Sequence, residues 1–215
     1  MNIFIIILTI VLISMIYYYN LFRYMTLHFC DSDHYIKKYK SINKCVDNRV
    51  IISMTTTPDR INNIKPVILS LLDQTVKVDQ IALNIPYKCN DKKYIIPKEY
   101  SNMVNIFRTN KDYGPGTKFI PTILRESQCD TIFILVNDDY IYGQDFIETI
   151  LNIFKKNPSK ALISDEFILL KSEFVDTNII TSTKKYINDE WIKNYIKAHK
   201  KNVYYNKNFR SFFFI

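Results

Sequence analysis

Thr131-Ile132-Phe133-Ile134-Leu135-Val136 is β-branched or apolar at every position, and it ends abruptly at Asn137-Asp138-Asp139. A strand with no polar face has to be covered on both sides, as in parallel sheets flanked by helices. The preceding residues supply the partners. Val50, Ile51, Ile52 and Met54 form a short apolar run closed by Thr55-Thr56-Thr57-Pro58, the pattern of a buried strand. Ile61, Ile64, Val67, Ile68, Leu71 and Leu72 then recur at helical spacing, with Pro66 placed in the first turns, where proline is tolerated. Residues 80–85 and 104–107 read as further strands, and 117–126 as a helix after the Gly114-Pro115-Gly116 break. Phe146, Ile147, Ile150, Leu151 and Phe154 mark another helix, ended by Asn157-Pro158. Residues 161–164 form a short strand, and 189–200 a late helix with Trp191, Ile192, Tyr195 and Ile196 on one side. This order predicts an α/β fold with a mostly parallel central sheet.

Before this pattern starts, residues 1–22 carry no charged side chain, and 3–19 are nearly continuous Ile, Leu, Val, Phe, Met and Tyr. That stretch is at the short end for a bilayer span, with Leu21 and Phe22 able to extend it and Tyr17 to Tyr19 suited to the interface. A cleaved signal peptide would need a basic start and a small-residue cleavage site, and neither is evident. The expectation is a single-pass signal anchor at 1–22, a stem at 23–48 and a globular domain at 49–215. Arg23, Lys37, Lys38 and Lys40 follow the span, which favours a cytosolic body over a lumenal one. The absence of any Asn-x-Ser/Thr acceptor points the same way. Cys30, Cys45, Cys89 and Cys129 form no CxxC pair, so a structural zinc site is not expected. Free thiols suit a cytosolic body, and a Cys30–Cys45 bridge would be the first guess for a lumenal one.

In open parallel sheets ligands bind beyond the carboxyl ends of the strands. The first strand is followed by Thr55-Thr56-Thr57-Pro58-Asp59-Arg60. Hydroxyls and backbone N–H groups there suit a phosphate; the competing reading is a plain helix cap at Thr57 or Asp59. The strongest strand is followed by Asn137-Asp138-Asp139. Adjacent carboxylates repel, and a divalent cation relieves that repulsion. Oxygen donors on a short loop suit Mg²⁺ or Mn²⁺; the competing reading is a solvated turn. Between them lies Asp112-Tyr113-Gly114-Pro115-Gly116-Thr117-Lys118, where glycines admit a close ligand and Lys118 offers a point charge, or else serves as a surface lysine.

Taken together, these segments resemble the nucleotide-sugar glycosyltransferases of the GT-A fold, family-2-like. The opening string from Ile52 to Arg60, with Ser70-Leu71-Leu72-Asp73-Gln74, is similar to that group's first strand, turn and helix. Ile81 to Pro86 with Tyr94 and Pro97, then the Asp112 to Lys118 segment with Pro121, resemble its next two elements. Asn137-Asp138-Asp139 falls at its Asp-x-Asp metal motif, with Asn137 in place of the first Asp. Asn188-Asp189-Glu190-Trp191 resembles the motif that supplies its catalytic base. The resemblance covers about residues 49–145, is thin from 160 to 185 and returns at 189.

It implies a Rossmann-like nucleotide-sugar-binding sandwich and inverting transfer of a sugar from a nucleoside-diphosphate donor to a hydroxyl of a glycan, protein or lipid acceptor. Asp139 would hold Mn²⁺ or Mg²⁺. Thr55, Thr56, Thr57, Arg60, Asp112, Lys118, Asn137 and Asp138 would hold the donor. Asp189 or Glu190 would be the base. Two other classes stay open: a catalytically impaired nucleotide-sugar binder, and a membrane-anchored nucleic-acid-binding protein. The last draws on charge. The chain carries 29 Lys+Arg against 21 Asp+Glu, a net +8, and residues 184–210 hold eight Lys/Arg and two acids interleaved with Tyr195, Tyr204, Tyr205 and Phe209. Most such runs are solvated faces, so no nucleic-acid partner is expected.

Overall fold

The computed structural model describes residues 3–18, 21–44, 46–128, 130–176, 187–199, 203–205 and 212–213. Three helices come first: α1 (Ile3–Tyr18), α2 (Leu21–Phe29) and α3 (Ser32–Ser41). α1 has only 16 residues, and among the described residues no helix is long and apolar enough to cross a membrane. At about 1.5 Å per residue such a helix falls short of a hydrocarbon core roughly 30 Å thick. This corrects the single-pass anchor expected at 1–22, the membrane helix in the expected fold, and the membrane location drawn from them.

The stem expected at 23–48 is also revised, because its charged side chains masked an apolar face. Leu27 on α2 and Tyr35 on α3 are buried in the main core, with Tyr24, Ile36 and Tyr39 packed against it. A buried carboxylate fastens both helices. Asp73 accepts from Arg23 Nε at 3.0 Å and from Gln144 Nε2 at 2.8 Å, and it pairs with Lys38. The Tyr39 hydroxyl adds a bond from the Val78 backbone N–H at 3.1 Å. The folded unit therefore extends well before Arg49.

The α/β body follows. β1 (Val50–Met54) leads to α4 (Lys65–Leu72), then β2 (Gln80–Pro86) and a small hairpin of β3 (Lys88–Cys89) and β4 (Lys92–Lys93). Next come α5 (Tyr100–Met103), β5 (Asn105–Thr109), a 3₁₀ turn (Gly114–Lys118) and α6 (Ile120–Arg125). β6 (Ile132–Val136), β7 (Tyr140–Ile141), α7 (Phe146–Lys156), β8 (Ala161–Ile163) and β9 (Phe167–Lys171) complete the middle. The described C-terminal elements are α8 (Asp189–His199), β10 (Val203–Tyr205) and β11 (Phe212–Phe213). The helix expected from Ile61 starts later, at Lys65. Residues 57–63 are a turn in which Arg60 and Ile61 donate to the Thr57 carbonyl, and Ile61 and Ile64 are buried by that turn rather than by a helix.

Among the described residues, seven strands form one sheet in the order β10-β8-β9-β6-β1-β2-β5. β1–β2, β1–β6, β2–β5 and β8–β10 are parallel, while β9 runs antiparallel to β6 and β8. The fold is thus mixed α/β with a mostly parallel sheet. Alternation along β1 and β6 builds two layers. Val50, Ile52, Met54, Ile132, Ile134 and Val136 face α4 and α7. Ile51, Phe133 and Leu135 face Phe119, Ile123, Ile192 and Ile196. Because β1, β2, β5 and β6 are mutually parallel, their carboxyl ends share one edge of the sheet. The chain leaves β1 toward β2 and β5 and returns to its other side as β6, which makes β1/β6 a topological switch point.

Candidate active site

At that edge lies a cleft of about 490 Å³. Its walls are the segments that follow β1, β2, β5 and β6, plus the start of α8. Thr55, Thr56, Thr57 and Arg60 enter after β1; Asp112 with Gly114, Pro115 and Lys118 after β5; Asn137, Asp138 and Asp139 after β6; Asp189 from α8. Ten of the expected site residues therefore share one cavity. Glu190 does not: it is exposed on α8 and absent from the cleft lining.

The ordinary readings of these segments fit poorly. The N-cap of α4 is Ile64, with no side-chain bond, so neither Thr57 nor Asp59 caps that helix. Lys118 is 4% exposed and Asp138 8% exposed, which is neither a surface lysine nor a solvated turn. Each is held for a local reason. Ser53, Asn84 and Thr122 form a buried hydroxyl–amide network in which Asn84 Nδ2 donates to Ser53 Oγ at 2.8 Å and to Thr122 Oγ1 at 2.9 Å. Ser53 Oγ then donates to the Lys118 carbonyl at 2.5 Å, fixing the backbone from which the lysine reaches inward. The loop after β6 is pinned by Tyr142, whose hydroxyl accepts from Asn137 N at 2.9 Å and is 3.1 Å from the Asn137 carbonyl. Burial pushes the Tyr142 hydroxyl well above its ordinary pKa, so it stays protonated. Ser70 and Gln74 brace the same region from α4: Ser70 Oγ accepts from Tyr142 N, and Gln74 bonds Gly143 O and Ile147 N.

Asp189 is set opposite Lys118 by a backbone clamp. Gly116 N donates to the Ile187 carbonyl at 2.7 Å, and Ile187 N to the Tyr113 carbonyl at 3.0 Å. The approach needs a glycine, because a Cβ at position 116 would lie 2.7 Å from the Ile187 Cβ. Asn188 Oδ1 then accepts from Trp191 N at 2.8 Å and starts α8.

Two cations and four carboxylates, Asp112 among them, face the cleft. Lys118 Nζ lies 2.7 Å from Asp189 Oδ1 and donates to Asn137 Oδ1 at 2.6 Å. Arg60 Nη2 lies 3.1 Å from Asp138 Oδ1 and 3.4 Å from Asp139 Oδ2. Burial pushes the Asp138 pKa up; the Thr56 hydroxyl and Arg60 pull it back, and Asp139 adds to the rise. Asp138 Oδ2 and Asp139 Oδ1 are buried with no hydrogen-bond partner among the described residues. Leaving a charged oxygen in that state costs about 1–3 kcal/mol or more. Those two hard oxygens fit Mg²⁺ or Mn²⁺, which are commonly bound by one or two carboxylates plus phosphate oxygens and water. Among the described residues no cluster of three or more His, Cys, Asp or Glu side chains could hold a metal alone, so such an ion would need ligand oxygens too.

Sequence reasoning missed one wall. Cys89 and Asn90, on the β3–β4 hairpin, line the cleft beside Tyr94 and Pro86. The hairpin turns on Asn90 and Asp91, at φ of 47° and 61°. An Asn-Asp pair between short strands is the signal that could have found it. The Tyr94 hydroxyl donates to the Thr56 carbonyl at 2.8 Å, tying this wall to the first loop. Burial, with Asp112 close by, pushes the Cys89 thiol above its ordinary pKa. Cys30 and Cys89 are free, and Cys45, the other half of the bridge considered above, lies outside the described residues. So do residues 184–186, 200–202 and 206–210 of the basic segment.

No family model matches the chain. No curated protein matches it. Among solved structures it is similar to one described as a glucose-1-phosphate thymidylyltransferase from Bacillus anthracis in complex with a sucrose. The identity is 12% and the TM-score 0.42, over 74% of this chain and 86% of that one. A likeness of that size carries no functional argument.

Proposed function

We propose that the chain is a GT-A-type glycosyltransferase that takes its sugar from a nucleoside-diphosphate donor. The observation that carries this reading is the charge layout of the cleft. Asp138 and Asp139 present two buried, unpartnered oxygens. Arg60 pairs with both, and Lys118, in the same cleft, engages Asn137 and Asp189. That layout suits a diphosphate at one end and a reacting hydroxyl at the other.

Asp139, with Asp138, would hold Mg²⁺ or Mn²⁺, and the ion would neutralise charge on the departing diphosphate. Lys118 adds a fixed positive charge in a water-poor site, where it acts strongly. Thr55, Thr56, Thr57 and Asp112 shape the nucleotide end. Asp189 takes the proton from the acceptor hydroxyl as that oxygen bonds to the anomeric carbon, and the bond to the diphosphate breaks with its electron pair. Attack from the side opposite the leaving group inverts that carbon.

Calorimetric titration with UDP and GDP, with and without Mn²⁺, tests the donor end. Binding is expected to depend on Mn²⁺, and Asp139→Ala to weaken it by about a hundredfold, or roughly 2.7 kcal/mol. Unchanged affinity in that variant would remove the metal assignment.

One observation favours the second reading, a nucleotide-sugar binder without turnover. Lys118 already engages both Asn137 and Asp189. Detection of released nucleoside diphosphate separates the two, since a binder releases none.

A further inference from the structure

The Asp138–Asp139 pair already has a cation, and it is Arg60. A single nitrogen, Nη2, sits between the two carboxylates, 3.1 Å from Asp138 Oδ1 and 3.4 Å from Asp139 Oδ2. A guanidinium pairing with one carboxylate normally uses two nitrogens in a fork. Here one nitrogen bridges two different carboxylates, as a small ion would.

The pairing is half complete. Each carboxylate spends one oxygen on Arg60 and keeps the other buried without a hydrogen-bond partner. Asp138 is the fixed member of the cluster, whereas the Asp139 and Arg60 side chains are each 34% exposed. Asp138 is 8% exposed and follows a strand whose exit is bolted by Tyr142. Arg60 stands on the turn after β1, and its side chain is 34% exposed. It can withdraw toward the cleft mouth without disturbing the core.

We propose that Arg60 is a resident counter-cation that a divalent ion must displace or tolerate to reach Asp138 and Asp139. The inference rests on the proposed function in taking this pair as the metal-holding pair. Arg60 lowers the pair's charge from −2 to −1, and so weakens divalent binding in the empty protein. A diphosphate offers Arg60 other anionic oxygens, and guanidinium binds phosphate well. The ion is then held firmly only together with an anionic ligand. The protein thereby avoids carrying a metal without its donor.

The test needs no nucleotide, so it reads separately from donor binding. Mn²⁺ alone is titrated into the full chain and followed by the loss of the free-ion electron paramagnetic resonance signal. Arg60→Gln is expected to bind Mn²⁺ at least tenfold more tightly than wild type. Arg60→Lys keeps the charge and is expected to stay within threefold of wild type. Circular dichroism establishes that each variant is folded, and the lysine variant carries the test if the glutamine variant is not: a tenfold gain on Arg60→Lys would overturn the charge argument. Equal or weaker Mn²⁺ binding by folded Arg60→Gln would overturn the proposal, as would no Mn²⁺ binding in any of the three. A failure of UDP or GDP to bind, with the Arg60→Gln gain intact, would sink the functional reading and leave this one standing.

Discussion

Asp189→Asn is expected to lower turnover by about 10²- to 10⁴-fold while leaving donor affinity within about threefold. The substitution keeps the shape of the side chain and removes its ability to take a proton, together with the charge that pairs with Lys118. The elements that place it are untouched. The Gly116–Ile187 and Ile187–Tyr113 backbone bonds remain, as does the Asn188 cap on α8. Lys118 keeps its bond to Asn137. A structural role would instead show as lost stability or lost donor binding. Steady-state turnover, with donor affinity measured separately, checks this, and full turnover in the variant would exclude Asp189 as the base. Glu190 is not a substitute, because it faces solvent outside the cleft.

Asp73→Ala is expected to destabilise the protein by about 3–5 kcal/mol, because removing one partner of a buried pair strands the other. The Asp73 side chain is 5% exposed and that of Arg23 11% exposed, so water cannot take over the lost interaction. Lys38 is 40% exposed and contributes little of this. The loss also frees Gln144, which bonds the same carboxylate near the start of α7. Denaturant unfolding gives the free-energy change, and limited proteolysis near Arg23 and Lys38 locates it. A loss under about 1 kcal/mol, with unchanged cleavage, would mean that apolar packing and the Tyr39–Val78 bond hold α2 and α3 without Asp73.

What could be read from the chain was what short-range pattern controls. The apolar runs of β1 and β6 are continuous, so their strand character and central place follow directly. The rule that ligands sit past strand ends then brought nine residues to one cleft, and the family resemblance added Asp189. Long-range pairing was not legible. Nothing near Arg23 or Lys38 announces Asp73, 50 and 35 positions away. Without that partner the charges looked like those of a solvated stem. α1 differs from expectation for another reason: Leu21 and Phe22, expected to lengthen the span, belong to α2, and the 16 residues of α1 are too few. The antiparallel strand β9 was overlooked although Phe167-Ile168-Leu169-Leu170 is an unbroken apolar run. Its position beside β6 depends on non-local pairing that composition does not encode. The β3–β4 hairpin escaped notice because its strands, Lys88–Cys89 and Lys92–Lys93, carry no alternating pattern. Its turn residues alone define it.

The charge layout of the cleft gives the most direct test. Thermal unfolding of the wild-type chain is measured against a panel of UDP-, GDP-, dTDP- and CMP-sugars, each with and without Mn²⁺. At about a hundred times its dissociation constant, a true donor adds about 2.7 kcal/mol, or roughly 5–10 °C for a chain of this size. The account predicts that at least one nucleoside-diphosphate sugar gives such a shift only when Mn²⁺ is present, and that Asp139→Ala abolishes it. A panel in which no nucleotide sugar moves the transition, with or without Mn²⁺, would contradict it.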